Sequence, residues 1–589
     1  MIKIIKKYSL LPVMATVLLW TSCELLEPVD ENYSTFDRVL NDPAYGEGLL
    51  NYGYTRIPTN SFSFNDVATD DAVSNDRASN YMRMATGEWS PMFDPMGQWS
   101  NCLMGIMSVN RFIPLIDKIG WRPSNPQVHQ LYIRRLSGEA YGLRALLKYH
   151  LLVTVAGEGA NGQMLGIPII NEYLEKDADF NIPRATFTES INSIYADIAQ
   201  ALSFLTMDDY KSITSAAALP PGLAGTDIAN YNIVFGNESA QRISGRIVKA
   251  LRAKVALLEA SPAFSKDPAL WVKAANYAGE LLFTIGGVTG MDNDGHRFFQ
   301  KSFTDAVNLA ATTPVDQKEM IWRTRKVLSN NRESANFPPL LYGSGRTNPT
   351  QNLVDAFPMA NGYPITDSRS NYNPSKPYDG RDPRLQLYVI CNGSTWKGTT
   401  IWTGVGGKEN RKDSIPTSTR TGYYLKKLLV ENVNMNPTGT STENHYEVHF
   451  RYTDIFLSYA EAANEAWGPN GKGGFEFSAR DVIRAIRKRA GITQPDAYLD
   501  GITTTEDMRQ LIRNERRLEL CFEGYRFWDL RRWKANITEV ARGVEINSDA
   551  TEFRYVNVEQ RLYKDYMYSG PVPNTEIVKY SNLVQNKGW

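Results

Sequence analysis

Residues 513–533 read RNERRLELCFEGYRFWDLRRW. Six of these 21 residues are Arg, four are Glu or Asp and five are aromatic, while Leu511, Leu518 and Phe522 repeat at helical spacing. A helix so composed can sit neither wholly in water nor wholly in a core. Glu515, Glu519 and Glu523 fall on one stripe at i, i+4 and i+8, where like charges destabilise by about 0.2–0.5 kcal/mol per pair unless cations neutralise them. Arg516, Arg517, Arg526, Arg531 and Arg532 are at hand. A glycosidase-type catalytic reading needs two carboxylates facing each other across a substrate at about 5–9 Å, which a single helix stripe does not offer. The segment reads instead as a charge-networked helix that locks two parts of one fold together.

Around it lies a chain of 589 residues, 42% hydrophobic and 22% charged, a composition that permits a large globular core. Its 64 basic and 64 acidic residues cancel, leaving no electrostatic case for nucleic acid. Lys3, Lys6 and Lys7 precede an apolar run at residues 10–20, too short for a bilayer-spanning helix of about 20 residues, so 1–22 reads as a secretion signal. Thr21 and Ser22 lead to Cys23 in a context similar to the lipobox of bacterial lipoproteins, although Trp20 stands where Leu is usual. Acyl chains on Cys23 contribute about 0.8 kcal/mol per buried methylene, so two or three of them hold a protein on a membrane almost irreversibly. Residues 23–33 then form a lipidated cysteine and tether, and 34–589 a single domain. Cys102, Cys391 and Cys521 remain, odd in number and without a CxxC pair, which implies neither a disulfide framework nor a zinc site.

The architecture reads as mainly α. Ala140, Leu143, Leu147 and Leu151 line one face of 139–155, and Thr186 with Glu189 forms a capping box ahead of Ile191, Ile194, Ile198 and Leu202. Helices follow at 245–260, with Ile247, Leu251, Val255 and Leu258 inward, and at 271–282. Helix, short turn and helix recur at 450–490, the outline of TPR-like helix pairs acting as a scaffold. The scaffold occupies about 34–285 and 448–589. Between them, at about 286–447, Gly, Asn, Pro, Ser and Thr become frequent and short apolar runs replace helical periodicity, which predicts a loop-rich, ligand-side subdomain with short strands.

Candidate ligand-binding residues come from two regions. Residues 81–99, YMRMATGEWSPMFDPMGQW, crowd Tyr81, Arg83, Trp89 and Phe93 into a Gly- and Pro-broken loop; Trp89 and Phe93 could equally plug a core edge. The central loops add His296, Phe298, Phe337 and Tyr342. Asp66, Asp70 and Asp71 sit in a dense acidic loop, read as solvated and turn-forming rather than as a cation seat. Recognised chemistries do not fit. His445 and His449 lie at i, i+4 but in a strand-like alternation, with Tyr446 where a metalloprotease has Glu. Asp292 to Gly295 opens like a calcium loop, yet Phe303 replaces the EF-hand glutamate. No catalytic constellation, cofactor motif or metal site is expected.

Ordered blocks along the chain carry a family resemblance. Glu515-Arg516, Glu519-Leu520, Phe522-Glu523-Gly524, Arg526 and Asp529 to Trp533 resemble the C-terminal motif of the SusD/RagB family. Glu139-Ala140 with Leu143-Arg144-Ala145, Asn348-Pro349-Thr350, Arg381 to Arg384, Tyr459 to Ala462 and the closing Gly588-Trp589 are similar to it in the same order. The resemblance implies a SusD-like fold and a non-enzymatic, surface glycan-binding lipoprotein of the outer membrane, lipid-anchored and facing the cell exterior. It implies a SusC-like TonB-dependent transporter as partner, with aromatic faces stacking on sugar rings. Binding residues vary within the family, so none is carried over. RagB-like peptide uptake and an unrecognised glycan hydrolase remain as alternatives.

Overall fold

The computed structural model describes residues 40, 42–59, 64–300, 318–406 and 408–589. The secretion signal at 1–22, Cys23 with its tether, and Phe303 lie outside the described residues. Helix α1 (Pro43–Tyr54) packs on α2 (Trp99–Phe112), α2 on α3 (Pro126–Val155), α3 on α4 (Phe187–Phe204), α4 on α5 (Gly245–Ala260) and α5 on α6 (Ala269–Phe283). The stack resumes beyond residues 284–451, because α6 packs on α7 (Tyr452–Trp467). Helix α7 holds α8 (Ala479–Arg489) and α9 (Thr505–Leu520), and α10 (Arg526–Arg532) follows. Chain neighbours packed in succession give the helix pairs of a mainly helical scaffold.

Local chemistry sets the helix ends. Thr186 Oγ1 accepts the Glu189 N–H at 3.1 Å and Glu189 Oε2 accepts the Thr186 N–H at 2.8 Å, the reciprocal capping box of α4. Ser478 and Asp481 repeat it at α8. The apolar faces point inward as patterned: Ile191, Ile194 and Ile198 of α4 and Ile247, Leu251, Val255 and Leu258 of α5 are buried. Helix α3 begins earlier than its 139–155 pattern predicts. Asn125 caps the Val128 N–H, and Pro126 occupies the first turn, where a missing N–H is harmless. Helix α7 is buried on all sides from 452 to 464, so Asp454 and Glu461 on it need partners.

Strands are short: β1 (Ala72–Ser74), β2 (Met320–Arg323), β3 (Thr347–Pro349), β4 (Val448–Arg451), β5 (Ala541–Ile546) and β6 (Phe553–Glu559). They pair antiparallel, β1 with β3, β2 with β4 and β5 with β6, and every sheet among the described residues is two-stranded. Such ribbons are marginal alone and depend on the cores they cover.

Three hydrophobic cores meet at residues 511–530. Leu511, Ile512 and Leu520 enter the large scaffold core; Leu518, Cys521 and Phe522 enter the core of the loop-rich region, with Leu385, Tyr388 and Tyr424; Phe527 and Leu530 enter a third, with Trp89 and Tyr563. The helix expected through residue 533 ends at Leu520, where the chain turns, so only Glu515 and Glu519 share the helix stripe and Glu523 lies in the turn; all three are neutralised by cations from three parts of the chain. Arg384 of the loop-rich region bonds Glu515 at 2.9 Å and Glu519 at 3.0 Å. Arg487 and Arg489 of α8 bond Glu515 at 2.7 Å and Glu519 at 2.5 Å. Glu523 takes Arg451 of β4 and Lys427, each at 2.7 Å. Glu515, Glu519, Arg384 and Arg451 are wholly buried. The charge-networked lock expected from the sequence is therefore present, with both partners and both sides named.

Removing one partner of a buried pair strands the other charge and destabilises by about 3–5 kcal/mol, whereas an exposed pair contributes below about 1 kcal/mol. Glu519→Gln should fall in the first range by urea unfolding. Lys587→Ala, which deletes an exposed 3.3 Å pair with Glu158, should fall in the second. Equal effects would contradict this assignment.

Candidate functional site

The turn joining α9 to α10 is held by the acidic loop. Phe522 takes φ +63° and Gly524 φ +80°, conformations that non-glycine residues rarely adopt. The Phe522 N–H donates to Asp66 Oδ1 at 3.1 Å. Arg517 and Arg526 bond Asp70 at 2.8 and 3.0 Å, and Arg517 also bonds Asp71. These three aspartates are buried, a correction to the solvated loop expected from the sequence: the arginines of 517–526 supply the neutralising charge that water would otherwise provide. Burial, then the charge of Asp71, pushes the Asp66 carboxyl up to about 7, while Arg517 and Arg526 overcome burial and hold Asp70 well below the usual range.

Beside this turn the helices and β4 border an open cavity with about 140 Å³ of free space. Tyr149, His150 and Val153 of α3 and Lys254, Leu257 and Leu258 of α5 form one wall. Trp322 of β2 with Val448, His449 and Phe450 of β4 forms another. Glu523, Gly524, Tyr525, Trp528, Asp529, Arg531 and Arg532 close the base, and Pro58, Thr59, Gln98 and Tyr568 also contribute. A smaller cleft, with about 20 Å³ of free space, beside Phe298, Arg332 and His445 shares Val448, Glu523 and Tyr525 with it.

The wall alternates aromatic faces with uncharged hydrogen-bonding groups. His449 lies 4.3 Å from Trp322, ring to ring, and Trp528 meets Phe527 edge-on at 4.9 Å. Burial lowers the His150 imidazole to about 3 and His449 to about 4, so both are neutral near pH 7, each with one ring nitrogen to donate and one to accept. Lysine and arginine charges are largely compensated. Lys254 pairs with Asp454, Arg516 with Asp454 and Asp529 at 2.8 and 2.7 Å, and Arg532 with Glu461 and Asp529 at 2.5 and 2.9 Å.

None of the eight residues named from the sequence lines this cavity. Trp89 is 4% exposed, its Nε1 donating to Asp94 at 2.9 Å, and packs against Phe527, Tyr563 and Trp589. Phe298 and Phe337 are likewise buried, in the core of the loop-rich region. The faces of these three rings are covered by protein, because a core must be closed beneath the broken helices that carry them. Arg83 and Phe93 do come together at the surface, guanidinium over ring at 4.4 Å, with Arg83 also paired to Glu88 at 2.6 Å. Tyr81 is half-buried, His296 is half-buried and lowered to about 4 by burial, and Tyr342 is 55% exposed at φ +64°. The sequence signal for the cavity was indirect: Trp528 lies within the decisive stretch and His449 stood out only as a discarded zinc ligand. Cys102, Cys391 and Cys521 are buried free thiols, and no group of three potential metal ligands occurs among the described residues.

Comparisons with known proteins agree with this geometry. Residues 315–589 match the family model described as SusD family, and 37–219 match one described as starch-binding associating with outer membrane. The chain belongs to the SusD/RagB family. A SusD-like protein of Bacteroides fragilis superposes with a TM-score of 0.70 at 23% identity, covering 96% of this chain and 100% of that one. A second B. fragilis structure, described as a SusD-like carbohydrate binding protein, gives 0.68 at 19% identity, covering 92% and 99%. Among curated sequences, SusD-like protein P25 of Formosa agariphila is 33% identical over 110 residues, so the match spans 19% of this chain and only 19% of that relative.

The buried carboxyls give a pH prediction. Asp66 is raised from an ordinary value near 3.8 to about 7, so between those values the folded chain binds a proton that the unfolded chain has released. Its share of stability is thus full below pH 4 and is lost as pH rises through 7, at up to about 1.4 kcal/mol per pH unit. Asp70, Asp454 and Glu519 are held low and weaken the fold only in stronger acid, below that window. The neutral His150, His296 and His449 act in the opposite sense below about pH 6.5, so the readout is a difference: in urea unfolding from pH 5 to 8 the stability of the wild type relative to Asp66→Asn should fall as pH rises, and a difference independent of pH would refute the assignment.

Proposed function

We propose that the protein is a non-enzymatic, surface-exposed lipoprotein of the outer membrane, anchored through Cys23, that captures an oligo- or polysaccharide and passes it to a SusC-like TonB-dependent transporter. The observation that carries this reading is the make-up of the cavity wall. A sugar ring presents C–H faces to aromatic side chains and hydroxyls to groups that both donate and accept. Trp528 and Tyr525 supply the first; Gln98, Tyr568 and the neutral His150 and His449 supply the second.

Family membership supports the glycan reading, as does the likeness to a B. fragilis protein described as carbohydrate binding. The wall carboxylates support binding rather than hydrolysis. Asp529 is engaged by Arg516 and Arg532, and Glu523 by Arg451 and Lys427, so each accepts charge-assisted bonds that occupy its oxygens. The transporter partnership and the outward orientation rest on the family resemblance and on the lipobox-like context of Cys23.

The test is affinity electrophoresis of the chain from residue 24 onward against a glycan panel, with reducing-end release assayed in parallel. Retention by a polysaccharide without new reducing ends is expected. Trp528→Ala, which removes a half-buried ring from the wall, should weaken that retention about tenfold, or ~1.4 kcal/mol. No retention by any glycan, or sugar release that accompanies it, would overturn the reading.

A further inference from the structure

We propose that the cavity takes an acidic sugar, one bearing a carboxylate or a sulfate ester, and that Arg531 is the receptor for its anionic group. This rests on the glycan-binding reading and narrows it to a substrate class.

Arg531 is the outlier among the cations of the cavity wall. Lys254, Arg516 and Arg532 each have a carboxylate partner. Arg531 is 4% exposed and forms no ion pair among the described residues. Its Nη1 donates to the Phe527 carbonyl at 3.2 Å and the neutral Tyr563 hydroxyl is within hydrogen-bonding reach, so its Nε and Nη2 have no charged acceptor. No other residue of this wall has a buried side-chain nitrogen or oxygen left unpartnered. A buried donor without an acceptor is costly, and a guanidinium more so.

What surrounds Arg531 stabilises a cation without neutralising it. The guanidinium lies 3.4 Å from the Phe527 ring centre, 4.8 Å from Tyr563 and 5.1 Å from Trp89. The Tyr563 hydroxyl, which is close enough to favour the charge, donates to the Ala68 carbonyl at 2.7 Å. Asp94, the carboxylate whose field also reaches Arg531, is bonded to Trp89 Nε1 and the Met96 N–H instead. Burial consequently pulls Arg531 down to about 10, whereas carboxylates outweigh burial at Arg516 and Arg532 and push both up.

The remaining charge on the wall is balanced. Asp529 lies between Arg516 and Arg532, Glu523 is held by Arg451 and Lys427, and His150 and His449 are neutral. An incoming anion would therefore meet one uncompensated positive charge. Carboxylate and sulfate both match a planar guanidinium, which suits two-point recognition. Trp528 and Tyr525 on the same base offer apolar faces to the ring that bears the anion.

The experiment is titration calorimetry of the chain from residue 24 onward with two matched pairs of probes. One is polygalacturonate against its fully methyl-esterified form; the other is a sulfated galactan against its desulfated form. At least one acidic form should bind about tenfold or more tightly than its neutral partner and should weaken as salt is raised, and the preferred pair names carboxylate or sulfate as the source. Arg531→Met, which keeps apolar bulk against Phe527, should abolish the preference, and Arg531→Lys should retain part of it; thermal unfolding of each variant reports whether it folds. Should Arg531→Met not fold, the wild-type comparison still decides. Equal binding of acidic and neutral partners, or a preference for the neutral ones, would overturn this inference and leave glycan binding intact. Absence of binding by any glycan in the panel would overturn both.

Discussion

Three glutamates, two buried on α9 and one in the turn that follows it, are the constraint on which the rest of this structure depends. Glu515, Glu519 and Glu523 cannot sit side by side unless cations reach them, and the cations come from separate parts of the chain: Arg384 and Lys427 from the loop-rich region, Arg451 from β4, Arg487 and Arg489 from α8. Replacing such a network by apolar side chains is often neutral or stabilising, so its contribution is not chiefly net stability. It specifies which segments dock on α9. The same stretch inserts apolar side chains into all three cores, so charge pairing selects the arrangement and hydrophobic burial supplies the driving force.

The cavity inherits its shape from that lock. Arg451 ends β4 and is fixed by Glu319 and Glu523, which sets the strand that carries His449 and Phe450 into the wall. Glu523 itself lines the cavity while holding Arg451 and Lys427. On the other side Asp66 accepts the Phe522 N–H at the turn where α9 passes into α10, and Asp70 and Asp71 tie Arg517 and Arg526. Thr350 donates both its N–H and its hydroxyl to the carbonyls of Asp71 and Asp70, so the loop-rich region is stitched to the same clip. A surface made by a lock of this kind is largely pre-formed.

Much of this was legible in the sequence where the physics is local. The capping boxes at Thr186 and Ser478 and the inward faces of α4 and α5 follow from neighbours within a few residues. So did the charged lock, because six arginines and four acids within 21 residues have few other ways to be buried. The start of α3 was written at Asn125-Pro126 but is masked by a polar first turn. The acidic loop misled because solvation was inferred from composition, while its neutralising arginines lie more than 400 residues away in the chain. For Phe337 and Trp89 the sequence left a core position and a ligand face equally open, because glycine and proline around an aromatic signal a loop, not which way the ring points. The cavity could not be read at all, since Tyr149, Lys254, Trp322, His449 and Trp528 come from five separate segments.

The most direct test of the lock is native-state hydrogen exchange in increasing urea, followed peptide by peptide. If α9 joins the scaffold to the loop-rich region, amides in α7, within the first core, and those around Tyr388 and Tyr424, within the second, should converge on one opening free energy and one urea dependence. Were the region around Tyr388 and Tyr424 to open at markedly lower urea while α7 stayed closed, the two cores would be separate folding units, and the glutamate stripe of α9 would not be what unites them.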